Sequence, residues 1–132
     1  MARKKITAVI EASSTGFGVY ADRLPGITGY GKTVEKAKVN FLSAVEETKS
    51  AYGNDIPAFL KGELEFDYKY DIGSIFDYFG VLDAGQFAKK IGMNASLLRQ
   101  YKSGHAKASD NQKKKIEAGL HALGRELISV RL

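Results

Sequence analysis

The chain reads as an α+β protein in two parts: a β-β-β-α-β unit over residues 1–70 and a helical unit over residues 71–132. Three observations predict this. Glu63 to Tyr70 alternates charged and aromatic or aliphatic residues with period two, the mark of a half-covered strand. Val34, Ala37, Phe41, Val45 and Thr48 recur at three- and four-residue steps, the mark of an amphipathic helix. From Ile72 onward strand patterns cease, and short helical patterns separated by Gly, Asn and Asp take over.

The elements follow in order. Lys5 to Ala12 is rich in Ile, Val and Thr, and Ser13 to Gly16 is a turn. Phe17 to Leu24 is the second strand of a hairpin, and Leu24-Pro25-Gly26 suits a type II turn. Ile27 to Gly31 is a short third strand. Thr33 caps a helix running to about Tyr52, with Glu35 in its first turn complementing the dipole. Gly53 to Pro57 ends that helix. On the final strand Leu64, Phe66, Tyr68 and Tyr70 are expected on a buried face, opposite Glu63, Glu65, Asp67 and Lys69. Asp71 to Ser74 reads as a short linker. Helices are expected at Ile72 to Val81, at Ala84 to Ile91 with Asp83 as cap, and at Ala95 to Ser103. Ser109 and Gln112 form an S-x-x-Q capping box before a long last helix. Along it Ile116, Leu120, Leu123, Leu127 and Val130 form an apolar stripe, interrupted by Gly119 and Gly124.

Phe87 to Gly104, FAKKIGMNASLLRQYKSG, carries the sharpest functional signal. Ala88 is small where a second helix would cross, Gly92 can take the positive φ of a tight turn, and Asn94 can cap the following helix. Phe87, Ile91, Leu98 and Tyr101 point inward at helical spacing. Ala95, Ser96, Leu97, Gln100, Lys102 and Ser103 then look outward. This is the pattern of a helix-turn-helix whose second helix enters a DNA major groove. Ser96 and Gln100 are the expected base readers, with Leu97 against a thymine methyl and Ala95 offering its own methyl. Gln86, Arg99, Lys102 and Ser103 are expected at phosphates; Asn94 and Lys107 complete the expected DNA-facing set. A reader of this size needs a second copy to cover a two-fold site, so a homodimer or larger assembly is expected, through the last helix or a sheet edge.

Charge agrees. Residues 1–70 carry ten Lys/Arg against nine Asp/Glu, and residues 71–132 carry ten against six, so the net +5 lies mostly with the helical part. The chain has no cysteine, which excludes a disulfide framework and a thiolate metal site. No run of 18 apolar residues occurs, and the MARKK start leads into a strand pattern instead of a leader peptide; a cytoplasmic protein without membrane contact is expected.

The segment ITAVIEASSTGFGVYADRLPGITGYGKTVEKAKVNFLSAVEE resembles the N-terminal domain of HicB-type antitoxins. The resemblance rests on Asp22, Pro25 and Gly26, then on Gly31, Thr33, Glu35 and Ala37. Arg23-Leu24 stand between Asp22 and Pro25, Ile27 stands where that family often has Cys, and Lys36 replaces the second acidic residue of the helix entry. Residues 5–70 are covered, and the C-terminal part resembles the lambda-repressor/Cro helix-turn-helix that some HicB proteins append. The resemblance implies a reduced ribonuclease-H-like N-terminal fold, an antitoxin that neutralises a small basic HicA-like ribonuclease toxin, and repression of its own operon through double-stranded operator DNA.

Catalysis is not expected. A two-metal nuclease needs converging carboxylates, and only Glu11, Asp22, Glu63, Glu65 and Asp67 are candidates. The last three share one exposed strand face; all five, Glu11, Asp22, Glu63, Glu65 and Asp67, are the expected contacts for a basic partner protein, with a simply solvated strand face as the alternative. His105 and His121 have no metal-ligand spacing, and no phosphate-binding G-x-x-x-x-G-K-[ST] occurs, so no cofactor or metal is expected. Lys113, Lys114 and Lys115 cannot all aim one way from a helix. The alternative from another class is a transcription regulator whose N-terminal part senses a small ligand or serves assembly.

Overall fold

The computed structural model describes residues 3–132. The fold is mixed α+β, with a four-stranded sheet and five α-helices among these residues. Two compact units divide between Ile75 and Phe76.

In the first unit β1 (Lys4–Ala12), β2 (Phe17–Tyr20) and β3 (Thr28–Gly31) form an antiparallel run, and β4 (Leu64–Tyr70) returns parallel to β1. The sheet order is β3-β2-β1-β4, so β4 is an edge strand. A parallel return needs a crossover, which α1 (Val34–Tyr52) supplies. Ile6, Ala8, Ile10 and Val19 are buried beneath Val34, Ala37, Phe41 and Val45 of that helix. Thr33 caps α1 by accepting from Lys36 N–H at 3.1 Å.

Helix and sheet meet most closely at Gly29. A Cβ there would lie 2.5 Å from Phe41 Cα and 2.6 Å from Ala37 O, inside the helix backbone. The glycine thus sets how deeply α1 settles and how fully Phe41 is buried.

Several boundaries differ from the sequence pattern. The β2 strand stops at Tyr20, because Ala21 to Leu24 turns back, with Leu24 N–H donating to Ala21 O at 3.0 Å. The next turn follows the sequence: Ile27 N–H reaches Leu24 O at 3.2 Å, and Gly26 has φ +83°. The aromatic face of β4 is half-buried, not buried, because α1 covers only part of an edge strand. Phe66 meets Phe41 edge-on at 5.0 Å, and Lys38 Nζ lies 4.6 Å from the Tyr68 ring centroid.

Asp71 to Ser74 is no linker: α2 (Ile72–Tyr78) begins there. Asp71 N–H donates to Ile10 O at 3.1 Å, continuing the ladder. Buried Ser74 accepts from Ala12 N–H at 2.6 Å and donates to Asp71 Oδ2 at 3.2 Å. The helix ends at Tyr78, not Val81, where Leu82 N–H turns back to Phe79 O at 2.9 Å.

The second unit holds α3 (Ala84–Ile91), α4 (Ala95–Ser103) and α5 (Asp110–Ile128). Phe76, Phe87, Ala88, Met93, Leu98 and Ile116 are buried in it, with the Phe76 and Phe87 rings edge-on at 6.0 Å. Ser109 caps α5 by accepting from Gln112 N–H at 3.2 Å. The reciprocal arm of the expected box is missing, since Gln112 Oε1 is buried without a hydrogen-bond partner. Gly119 lies under Ile91 and Phe87, so α5 packs against α3 at that point.

Gly29→Ala should destabilise the first unit by about 1–3 kcal/mol, since the added methyl meets backbone and not a movable side chain. Urea denaturation compared with wild type measures this, with an unchanged midpoint as the contrary result.

Candidate nucleic-acid interface

The α3–α4 pair is built by local chemistry. Asp83 accepts from Gln86 N–H at 2.8 Å and starts α3. Gly92 ends it in the left-handed region at φ +71°, where a Cβ would be strained. Met93 N–H bonds back to Ala88 O at 2.9 Å, and Met93 is buried, which pins the turn. Asn94 Oδ1 then accepts from Leu97 N–H at 3.0 Å and starts α4. Ala88, fully buried, allows the two helices to approach.

Along α4, Ser96, Gln100 and Ser103 recur at i, i+4 and i+7, with Arg99 beside them, and all four are exposed. Buried Leu98 points the opposite way. This row of hydroxyl, amide and guanidinium groups can donate to and accept from base edges and phosphates. Lys102 is exposed in the last turn of α4, Lys107 in the loop that follows it, and Gln86 on α3.

The expected set needs corrections. Ala95 and Leu97 are half-buried on the sides of α4 and do not look straight outward. Ser103 Oγ already donates to Gln100 O at 3.2 Å and shares a 2.6 Å hydrogen bond with His105 Nδ1. Arg99 lays its guanidinium over Gly85, where a Cβ would stand 2.5 Å from Nη2. In the sequence this contact is marked by nothing but a glycine at the second position of α3. Among the α5 lysines, Lys115 Nζ donates to the Gly92 carbonyl at 3.2 Å, which ties α5 to the turn, while Lys113 and Lys114 are exposed. Lys90 pairs with Glu126 at 2.9 Å.

The expected acidic set lies in the first unit, and the sheet brings only part of it together. Glu65 and Asp67 project from the β4 face away from α1, and the register sets them beside Lys5 and Thr7. Glu63 precedes β4 and is held by Arg3 at 3.0 Å. Glu11 lies toward the other end of β1 and accepts from the Tyr20 hydroxyl at 3.3 Å; Asp22 is exposed in the turn after β2. Burial, then the negative charges of Glu11, Asp22 and Asp71, push the Tyr20 hydroxyl pKa above its ordinary value. Two of the five acids thus face cations. Among the described residues no cluster of three His, Asp or Glu could hold a metal ion, and no helix is long and apolar enough to cross a membrane.

No protein-family model matches the chain, and neither the curated proteins nor the solved structures give a match.

Asn94→Ala should cost about 1 kcal/mol of stability through loss of the α4 cap. Thermal unfolding followed by circular dichroism measures it, and an unshifted transition would remove the capping role.

Proposed function

We propose that the protein is a DNA-binding antitoxin of the HicB type: it neutralises a small basic ribonuclease toxin through its first unit and represses its own operon through its second. On this reading the β-β-β-α-β unit is a reduced ribonuclease-H-like domain, and α3–α4 is a helix-turn-helix of the lambda-repressor/Cro type. The observation that carries the proposal is the exposed row of Ser96, Arg99, Gln100 and Ser103 on a helix fixed by the Gly92 turn and the Asn94 cap. Such a row, on a helix whose other side is buried, is what direct readout in a major groove requires.

The roles follow from position. Ser96 and Gln100 read base edges. Lys102, Lys107 and Gln86 hold phosphates, and Arg99, seated on Gly85, reaches a phosphate from a preset orientation. Asn94 supports the readers by starting their helix. The protein acts as a homodimer on a two-fold operator in the cytoplasm. The toxin docks by charge on the β4 side of the sheet, where Glu65 and Asp67 carry the attraction. No enzymatic step and no cofactor belong to this scheme.

Gln100→Ala should weaken operator binding by about 1–3 kcal/mol and relax specificity at one base pair, whereas Lys102→Ala should lower the salt slope by about 1 without changing sequence preference. Fluorescence anisotropy over a salt series distinguishes the two; unaltered affinity and preference in Gln100→Ala would remove α4 from the groove. For the other half, the double substitution Glu65→Lys, Asp67→Lys in the full chain should abolish co-purification of a co-encoded small basic protein while leaving DNA binding intact. Retained co-purification would place the toxin elsewhere.

A further inference from the structure

We infer that the free edge of β4 takes up an extended segment of a basic partner protein as an added strand, one in which Lys or Arg alternates with apolar residues. The inference rests on the toxin-binding reading of the first unit and names how the partner is held. Its first support is an open ladder. Lys4 N–H donates to Glu63 O, and Asp71 N–H donates to Ile10 O, both at 3.1 Å, at the two ends of the parallel β1–β4 pairing. The odd-numbered residues between them therefore turn N–H and C=O toward β1, and Leu64, Phe66 and Tyr68 turn theirs outward. Among the described residues these outward groups have no partner in the chain. The other edge of the sheet is different. There β3 has only four residues, and the Asn40 side-chain amide already donates to Tyr30 O. In contrast, β4 runs seven residues in unbroken register without proline, which leaves it a template for strand addition.

The second support is the groove above that edge. Leu42 and Val45 of α1 and Leu64 and Phe66 of β4 line a space of about 440 Å³, with Glu46 and Lys49 beside them, and Leu42 is 44% exposed. Side chains on the α1 side of an added strand enter this space. Successive residues of a strand alternate faces, so every second residue of the occupant is apolar.

Charge decides the residues in between. On the opposite side of β4, Glu65 and Asp67 are exposed, and neither forms an ion pair among the described residues. Residues of the occupant directly across from them share their face, so Lys or Arg belongs there. A second copy of β4 fails this condition. Antiparallel pairing of two β4 edges about Phe66 sets Glu65 against Asp67, and pairing about Asp67 sets Asp67 against itself. Pairing about Tyr68 sets Glu65 against Asp71, and in-register parallel pairing sets Glu65 beside Glu65. Every register thus opposes like charges, which is unfavourable on adjacent strands. The edge disfavours its own copy and accepts a basic strand.

The probe is a short synthetic peptide that alternates Lys and Val, added to the full chain and followed by NMR hydrogen exchange. At about 1 mM peptide the Phe66 and Tyr68 amides should exchange about fivefold more slowly or better, while a peptide alternating Glu and Val leaves them unchanged. Tyr68→Pro removes one outward N–H and spares the ladder to β1, so it should weaken peptide binding about tenfold. Tyr68→Ala keeps that N–H and should cost about threefold or less. A Lys–Val peptide N-methylated at every second residue blocks strand addition from the other side and should not bind the unmodified protein. Binding of the Lys–Val peptide with both amides unprotected, equal binding of its N-methylated form, or no binding at about 1 mM would overturn the inference. So would protection of these amides that rises with protein concentration alone, since a second copy then occupies the edge. Protection by the peptide without co-purification of a co-encoded small basic protein would count against the toxin reading alone.

Discussion

Close backbone approach, allowed where a side chain is missing, is the constraint on which both units depend. In the first, Gly29 lets α1 settle until Phe41 is wholly buried against the sheet. In the second, Gly119 admits Ile91 and Phe87 against α5. Neither glycine has positive φ, so conformational freedom does not account for them. Each helix pairing gains apolar burial at these points, at roughly 25 cal/mol per Å² removed from water, and this outweighs the lower intrinsic propensity of glycine in a strand or helix.

The α3–α4 turn adds a second kind of constraint, in which three local devices agree. Gly92 supplies the left-handed residue, Met93 anchors the turn in the core, and Asn94 starts the next helix. Lys115 closes the arrangement from α5 by binding the Gly92 carbonyl. With the turn fixed, the burial of Leu98 determines the rotation of α4, and hence that Ser96, Gln100 and Ser103 face out. Rigid presentation matters for any reader of base edges, because a bidentate contact tolerates little displacement.

What could be read in the sequence was local. Thr33, Asp83, Asn94 and Ser109 announce helix starts, and each accepts the N–H three residues on, because capping involves only near neighbours in the chain. The period of α1 likewise exposes its buried face. What escaped depends on partners distant in sequence. Ser74 looks like part of a linker until the end of β1 leaves the Ala12 N–H needing an acceptor 62 residues away. Leu60 is wholly buried, yet it lies in a short 3₁₀ turn with no period to mark it. The half-covered β4 face follows from its place at the sheet edge, which alternation alone cannot reveal. In the site, the spacing that marks Arg99 for a phosphate says nothing of its seat on Gly85, because that contact joins two helices.

The two units divide the chemistry by charge and by type of surface. The first offers a sheet face of mixed charge, Glu65 beside Lys5 and Asp67 beside Thr7, with Lys69 next along the strand. Such a face is poor at attracting a polyanion and suited to a partner whose own charges are patterned. The second carries most of the net positive charge around an exposed polar helix, which suits a uniform polyanion with readable edges. A ligand that suits one surface is therefore disfavoured on the other.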